Sequence, residues 1–196
     1  MSALGAPGVD PEGQFAPDTY NFPRGTSDLT ILEQAHGRLQ DQLESIWRER
    51  SPTAAVTTPY EALILASIIE KETALASERR QISGVFNRRL QRGMRLQTDP
   101  TVIYGLGADF DGNLRRADLD RDTPYNTYTR RGLPPTPIAL PGIESLRAAV
   151  DPDESDTLYF VATGAPDGSH TFSATLEAHN QAVAAYLRRL RSDRVQ

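Results

Sequence analysis

One segment constrains the fold of this chain more than any other: eight consecutive apolar or small residues, 62–69, that read Ala-Leu-Ile-Leu-Ala-Ser-Ile-Ile. A helix made of them is apolar on every side for two turns and must be covered all round. Thr58 and Glu61 form a capping box before it, and Pro59 suits the first helical position. The sequence therefore predicts a central buried helix that starts there and ends in the charged residues 70–72.

Amphipathic helices are predicted on both sides of this central helix. Leucines recur at helical spacing after a cap at Thr26 or Ser27 and up to about Arg50, and a third helix, capped by Ser77, ends at Gly93. A last helix begins near Thr175. Helices in this number with few strand signals predict an α+β fold in a single domain over residues 1–196.

Strand signals are sparse. Residues 158–162 and 170–173 flank a Gly-Ala-Pro-Asp-Gly turn and predict a small antiparallel hairpin. Residues 12–22 alternate weakly between apolar and polar and predict an extended segment or an edge strand. Residues 94–107 are predicted as loop followed by a short strand or helical turn, and the stretches 107–124 and 132–142 as irregular.

Composition and motif content exclude several classes of function. With 26 acidic and 21 basic residues the net charge is -5, which argues against a nucleic-acid partner. The absence of cysteine removes disulfides, thiolate catalysis and cysteine-ligated zinc, and a lysine nucleophile could only be Lys71. The three histidines are scattered without metal-ligand spacing, and no serine lies in a nucleophile motif. There is no apolar run long enough to span a membrane and no secretory signal in Met1–Asp10.

Glu70 is the first residue that we predict to be catalytic. It follows the buried helix directly, and partial burial raises the pKa of a carboxyl group toward the range that suits a general acid. Small residues at 66 and 67 share its helical face and predict room for a cleft, whereas isoleucines at 68 and 69 share the face of Glu72. Glu72 is kept as the alternate. Both glutamates could instead mark a solvated helix end.

A group of polar and aromatic residues has the chemistry of a sugar-binding groove. Tyrosine rings offer flat apolar faces with a hydroxyl at the rim, and amides and carboxylates bond paired sugar hydroxyls. The predicted substrate-binding residues are Gln97, Asp99, Tyr104, Asn126 and Tyr128. The proposed arrangement has Asn126 and Tyr128 facing Glu70 across a cleft, with Gln97 and Asp99 on one wall.

Several motifs in order resemble the YceG-like family of endolytic murein transglycosylases. These are ASIIEKET at residues 66–73, GMRLQTDPTVIYG at 93–105, YNTY at 125–128 and GLPP at 132–135, with flanking matches at 12–20, 170–173 and 179–180. The resemblance covers nearly the whole chain. One departure is Arg88, where the family often has asparagine before Arg-Leu, so no role of that asparagine is carried over to this position.

The resemblance implies an enzyme that cuts the β-1,4 bond between N-acetylmuramic acid and N-acetylglucosamine within peptidoglycan and leaves 1,6-anhydro ends, with no cofactor. The family's catalytic glutamate maps to Glu70, with Glu72 as alternate. The alternatives are a water-using muramidase with Asp99 as second carboxylate, and a glycan-binding module without catalysis.

The family's N-terminal membrane helix and LysM-like subdomain have no counterpart among these residues. The resemblance therefore implies a catalytic region whose parent is anchored in the bacterial inner membrane and faces the periplasm. Peptidoglycan strands are the implied partner, and peptidoglycan synthases are implied partners of the parent.

Overall fold

Helix α2, the predicted central helix, spans Pro59–Glu72 in a computed structural model that describes residues 1–193. Thr58 caps its start by accepting a hydrogen bond from the backbone N of Glu61 at 3.1 Å. Residues 62–69 are all buried, as the apolar run predicts. Helix α2 packs against four other helices, and its position at the centre of the core is confirmed.

Helices α1 and α3 flank α2, as the sequence pattern predicts. Helix α1 spans Asp28–Arg48 with Ser27 as its cap, and α3 spans Arg79–Gln91 after a short 3-10 turn at Ala76–Glu78. The predicted cap of α3, Ser77, is wrong: Ser77 lies within this turn, and Glu78 precedes α3 without a side-chain capping bond. The remaining helices are α4 (Asp99–Leu106), α5 (Arg116–Asp120), α6 (Ile143–Val150) and α7 (Leu176–Asp193). Further 3-10 turns lie at Ser2–Leu4 and Gly107–Asp109.

The predicted hairpin is present as strands β1 (Tyr159–Ala162) and β2 (His170–Ser173), which pair antiparallel with Phe160 opposite Phe172. Helix α7 packs on this hairpin, and the ring of Phe160 meets that of Phe86 on α3 edge-on at 5.8 Å. The hairpin is thereby held against the helical core. The predicted α+β class is confirmed.

Three elements differ from the sequence prediction. Helices α5 and α6 lie in or next to stretches predicted as irregular, because runs of five and eight residues are too short for a clear apolar period. Residues 12–22 do not form the edge strand that was one of the two predictions for them. Pro17 has no backbone N–H to donate to a neighbouring strand. Within residues 1–193, no helix has the combination of length and apolar character that a bilayer crossing requires.

Candidate active site

A groove of about 550 Å³ lies where the end of α2, the segment before α4, the hairpin and α7 meet. This is within the range of ligand sites of about 300–1,000 Å³. Its lining combines carboxylates, imidazoles, amides and aromatic rings. The lining includes Glu72, Arg89, Gln97, Thr98, Asp99, Tyr128, Tyr159, Phe160, His170, His179 and Asn180.

Glu72 is the carboxylic acid that α2 presents to this groove. The hydroxyl of Thr98 donates a hydrogen bond to its Oε1. Burial raises the pKa of Glu72 to about 7, with a further increase from the charge of Asp99. The Thr98 hydrogen bond, the charge of Arg89 and, when its ring is protonated, the charge of His170 lower the pKa of Glu72 by less than burial raises it. Glu72 can therefore hold a proton near neutral pH and release it within the groove.

Glu70 lies outside the groove and binds the start of α6. Its Oε2 accepts hydrogen bonds from the backbone N of Gly142 at 3.1 Å and from the Ser145 hydroxyl at 2.6 Å. A carboxylate at a helix N-terminus is stabilised by the helix dipole. The face expected to leave a cleft is occupied, since Ser67 accepts a hydrogen bond from the backbone N of Ile138 at 3.0 Å. These contacts give the Glu70 carboxylate a structural role, which is to hold the start of α6.

The segment that carries Gln97, Thr98 and Asp99 is fixed by the buried residue Thr127. The backbone N of Gln97 donates to the Thr127 carbonyl at 3.1 Å, and the backbone N of Thr98 donates to the Thr127 hydroxyl at 3.1 Å. Gln97 has a φ of 53°, in the left-handed region, and among residues 1–193 it is the one residue other than glycine with positive φ. The protein holds this unfavourable conformation beside the groove.

Asp99 and Tyr128 meet inside the groove. The Tyr128 hydroxyl donates a hydrogen bond to Asp99 Oδ1 at 2.5 Å. Burial, followed by this hydrogen bond, raises the pKa of Tyr128 well above its usual value. The hydroxyl therefore stays protonated and remains a donor to Asp99. Gln97, Asp99 and Tyr128 thus lie together with Glu72, as a shared groove requires.

Two of the predicted substrate-binding residues do not line the groove. The Tyr104 ring packs against the Tyr125 ring, with 4.9 Å between centroids. Asn126 is 1% exposed, and its amide group donates to the carbonyls of the loop that precedes it. Its Oδ1 accepts from the backbone N of Tyr128 at 2.8 Å. Asn126 therefore supports the loop that presents Tyr128.

Helix α3, the hairpin and α7 contribute groove residues that the sequence pattern had not assigned to a site. Arg89 is buried beneath the groove, where it donates to the carbonyls of Leu158 at 2.8 Å and Leu96 at 2.6 Å. Arg89 thereby links the segment before β1 to the segment before α4. His179 stacks on Tyr159 at 5.2 Å. The family motifs at 170–173 and 179–180 contain groove residues, but their residue types and spacing alone predicted no catalytic or binding role.

We expect Gln97→Gly to keep the protein folded, because glycine adopts a positive φ without steric cost. The free energy of unfolding should change by less than about 1 kcal/mol. Gln97→Ala removes the same amide without relieving the backbone and should be the less stable of the two variants. Thermal melting measures the difference, and an alanine variant that melts at or above the temperature of the glycine variant would contradict backbone strain at this position.

Comparison with known proteins identifies relatives of this chain. A model of the YceG-like family matches residues 2–185. An endolytic murein transglycosylase of Bacillus subtilis is 38% identical over 176 residues, which cover 90% of this chain and 48% of that protein. One from Streptococcus pneumoniae is 30% identical over 181 residues, covering 90% of this chain and 32% of the relative. The chain thus spans about half or less of the length of these relatives.

A solved structure supports the same relationship. The crystal structure of a putative yceG-like protein from Listeria monocytogenes superposes with a TM-score of 0.76 at 37% sequence identity. The superposition covers 92% of this chain and 59% of the Listeria chain. The likeness therefore extends to the fold of most of this chain.

Proposed function

Because the chain belongs to the YceG-like family, we propose that it is an endolytic lytic transglycosylase. It cleaves the β-1,4 bond between N-acetylmuramic acid and N-acetylglucosamine within peptidoglycan strands and leaves 1,6-anhydro ends. The observation that carries the proposal is a half-buried glutamic acid, Glu72, with a pKa of about 7, in a groove lined by polar and aromatic side chains. The names of the relatives give the same activity.

Of the two glutamates predicted as proton donor, we propose the alternate, Glu72. The protonated carboxyl donates to the glycosidic oxygen, and the bond from this oxygen to the muramyl C1 breaks. The resulting carboxylate then takes the proton of the muramyl C6 hydroxyl while the C6 oxygen bonds to C1. One carboxyl group thus serves as acid and base, and the substrate supplies the nucleophile. Glu70 is the competing candidate, but its carboxylate binds α6.

The groove also carries a feature that favours a second candidate function. Asp99 is an exposed carboxylate in the same groove as Glu72, and a muramidase needs a second carboxylate to activate water or attack C1. Its Oδ1 accepts the Tyr128 hydroxyl, which leaves Oδ2 for such a role. A glycan-binding module without catalysis is the third alternative.

Product analysis of digested glycan strands distinguishes these functions. A transglycosylase product lacks the elements of water, about 18 mass units, because closure of the anhydro ring replaces hydrolysis. Borohydride reduction leaves its muramyl end unchanged. We expect anhydro ends by mass spectrometry. Reducible muramyl ends would establish the muramidase, and binding without cleavage would establish the binding module.

The rate of cleavage should fall as the pH rises through about 7. The general acid must start protonated, and the protonated fraction of Glu72 falls tenfold per unit above its pKa. Single-turnover rates on purified strands between pH 4 and pH 9 test this, with thermal melting at each pH as a control for unfolding. A rate that climbs steadily to pH 9 would contradict a carboxylic acid as donor.

The proposed substrate also leads us to propose where in the cell the protein acts. Peptidoglycan lies outside the bacterial inner membrane, so we place the activity at its periplasmic face. Peptidoglycan synthases, which make the strands to be cut, are the proposed protein partners of the intact protein. Fractionation of cells that carry the tagged intact protein, followed by co-purification with synthases, tests both statements.

A further inference from the structure

A buried pair formed by Glu78 and His170 borders the groove. His170 is the first residue of β2, and its backbone N donates to Glu78 Oε1 at 2.9 Å. Its Nδ1 lies 2.7 Å from Glu78 Oε2, and the two side chains are only 12% and 10% exposed. Because both oxygens of an ionised carboxylate are acceptors, Nδ1 carries a hydrogen in this pair. In the neutral ring, Nε2 is then an acceptor.

The imidazole of His170 is held rigidly and lines the same groove as Glu72. Phe160 meets the ring edge-on at 5.5 Å between centroids, and Phe172 lies at 6.5 Å on the same strand as His170. Within residues 1–193, no group forms a hydrogen bond with Nε2 of His170. This atom is also absent from the fully buried side-chain atoms that lack a partner, namely Arg79 Nε and His179 Nδ1. A partner for Nε2 would therefore come from a bound molecule or solvent, and His170 is one of the residues that line the groove.

We propose that His170 Nε2 accepts a hydrogen bond from a hydroxyl of the sugar that binds beside Glu72. This inference rests on the proposed function, because it takes a glycan as the ligand. Sugars carry several hydroxyl donors, and a fixed imidazole acceptor selects for one of them by position. Glu78 acts as a positioning residue, since it fixes which ring nitrogen carries the hydrogen, as carboxylates do for other functional histidines.

His170→Asn separates this role from a structural one. The asparagine amide can still donate to Glu78, and the backbone hydrogen bond to Glu78 remains, but no atom replaces Nε2. We expect KM for glycan strands to rise about 3- to 10-fold, the loss of one hydrogen bond, with little change in melting temperature. A purely structural residue would lower the melting temperature and leave KM of the folded protein unchanged.

His36→Asn is the matched control. His36 is half-buried on α1, and its Nδ1 bonds the Gln14 carbonyl at 2.8 Å, outside the groove. We expect this variant to leave KM unchanged. A His170→Asn variant with the KM of the unaltered protein would overturn the proposal.

Glu78→Gln tests the tautomer. The amide oxygen can still accept from the backbone N of His170, so the amide NH2 faces Nδ1 and moves the ring hydrogen to Nε2. The acceptor becomes a donor, to which a sugar hydroxyl can still bond by accepting, so KM should rise less than for His170→Asn. The chain has three histidines, so nitrogen-15 NMR can follow the position of the ring hydrogen directly. A hydrogen on Nε2 of His170 in the unaltered protein would contradict the proposed acceptor.

A binding experiment keeps the test independent of cleavage. The Glu72→Gln protein is titrated with an uncut tetrasaccharide of alternating N-acetylglucosamine and N-acetylmuramic acid. We expect the His170 Nε2 resonance to shift on saturation, and the additional His170→Asn change to weaken binding 3- to 10-fold. An unmoved resonance, or no binding at millimolar concentration, would overturn the inference. Binding with the expected shift, but without cleavage by the unaltered chain, would instead refute the proposed function alone.

Discussion

Replacing Glu72 with glutamine is expected to lower the rate of glycan cleavage by about 10²- to 10⁴-fold, the range lost with a general acid. The amide has nearly the same shape but cannot donate the proton, and its oxygen can still accept from Thr98. Single-turnover cleavage of purified strands measures the loss. Affinity for strands should stay close to that of the unaltered protein.

The stability of this variant separates loss of chemistry from loss of fold. Glu72 has a folded pKa of about 7, above its ordinary value of 4.5. Its contribution to stability is therefore complete below pH 4.5 and is lost as the pH rises through about 7. Glutamine does not titrate, so the Glu72→Gln protein does not lose this stability as the pH rises. We expect Glu72→Gln to melt at the same temperature as the unaltered protein or higher at pH 8.

Glu70→Gln is the matched comparison, two residues away on the same helix. It weakens the charge-assisted contacts with Gly142 and Ser145, and should lower the free energy of unfolding by about 1 kcal/mol. We expect the folded variant to cleave strands. If Glu70→Gln is inactive while folded and Glu72→Gln is active, the proton donor is Glu70.

Asn126→Ala is expected to lower the free energy of unfolding by about 3 kcal/mol, a shift of roughly 6–12 °C in melting temperature. The buried amide donates to the carbonyls of Asp118, Leu119 and Arg121 at 3.2, 3.0 and 2.6 Å. Alanine leaves these carbonyls, and the backbone N of Tyr128, without a partner in the protein. Calorimetry or denaturant unfolding measures the loss.

Asn180→Ala is the control for this change, because Asn180 is an exposed asparagine of the groove on α7. We expect it to leave stability within about 0.5 kcal/mol, as for an ordinary surface substitution. If Asn126→Ala instead keeps the full melting temperature but binds strands poorly, Asn126 contacts the sugar directly.

The position and burial of α2 follow from its residues, since an apolar run with a capping signal has few ways to fold. The choice between Glu70 and Glu72 does not follow from them. It depends on what packs beside the last turn. There the segment before α6 contacts Ser67 through the backbone N of Ile138, and the start of α6 binds Glu70. Ser67, one of the small residues that suggested a cleft, is therefore covered by the chain that leads into α6.

Packing between distant parts of the chain also limits which groove residues the sequence can predict. Gln97, Asp99 and Tyr128 stood out by chemical type, and they do share a groove with Glu72. Asn126 has the same chemical type, but its burial depends on the path of the loop over residues 118–126. His170 and Glu78 are 92 residues apart in the chain, and only the packing of the hairpin on the core brings them together.

The contact between Glu70 and α6 also sets the rotational phase of α2. Successive residues of a helix are about 100° apart around its axis, so Glu70 and Glu72 point in directions about 160° apart. With Glu70 held by Gly142 and Ser145, the last turn cannot rotate, and Glu72 is directed to the opposite side, where the groove lies. Deleting one residue within α2 would preserve the helix but turn both carboxylates away from their partners.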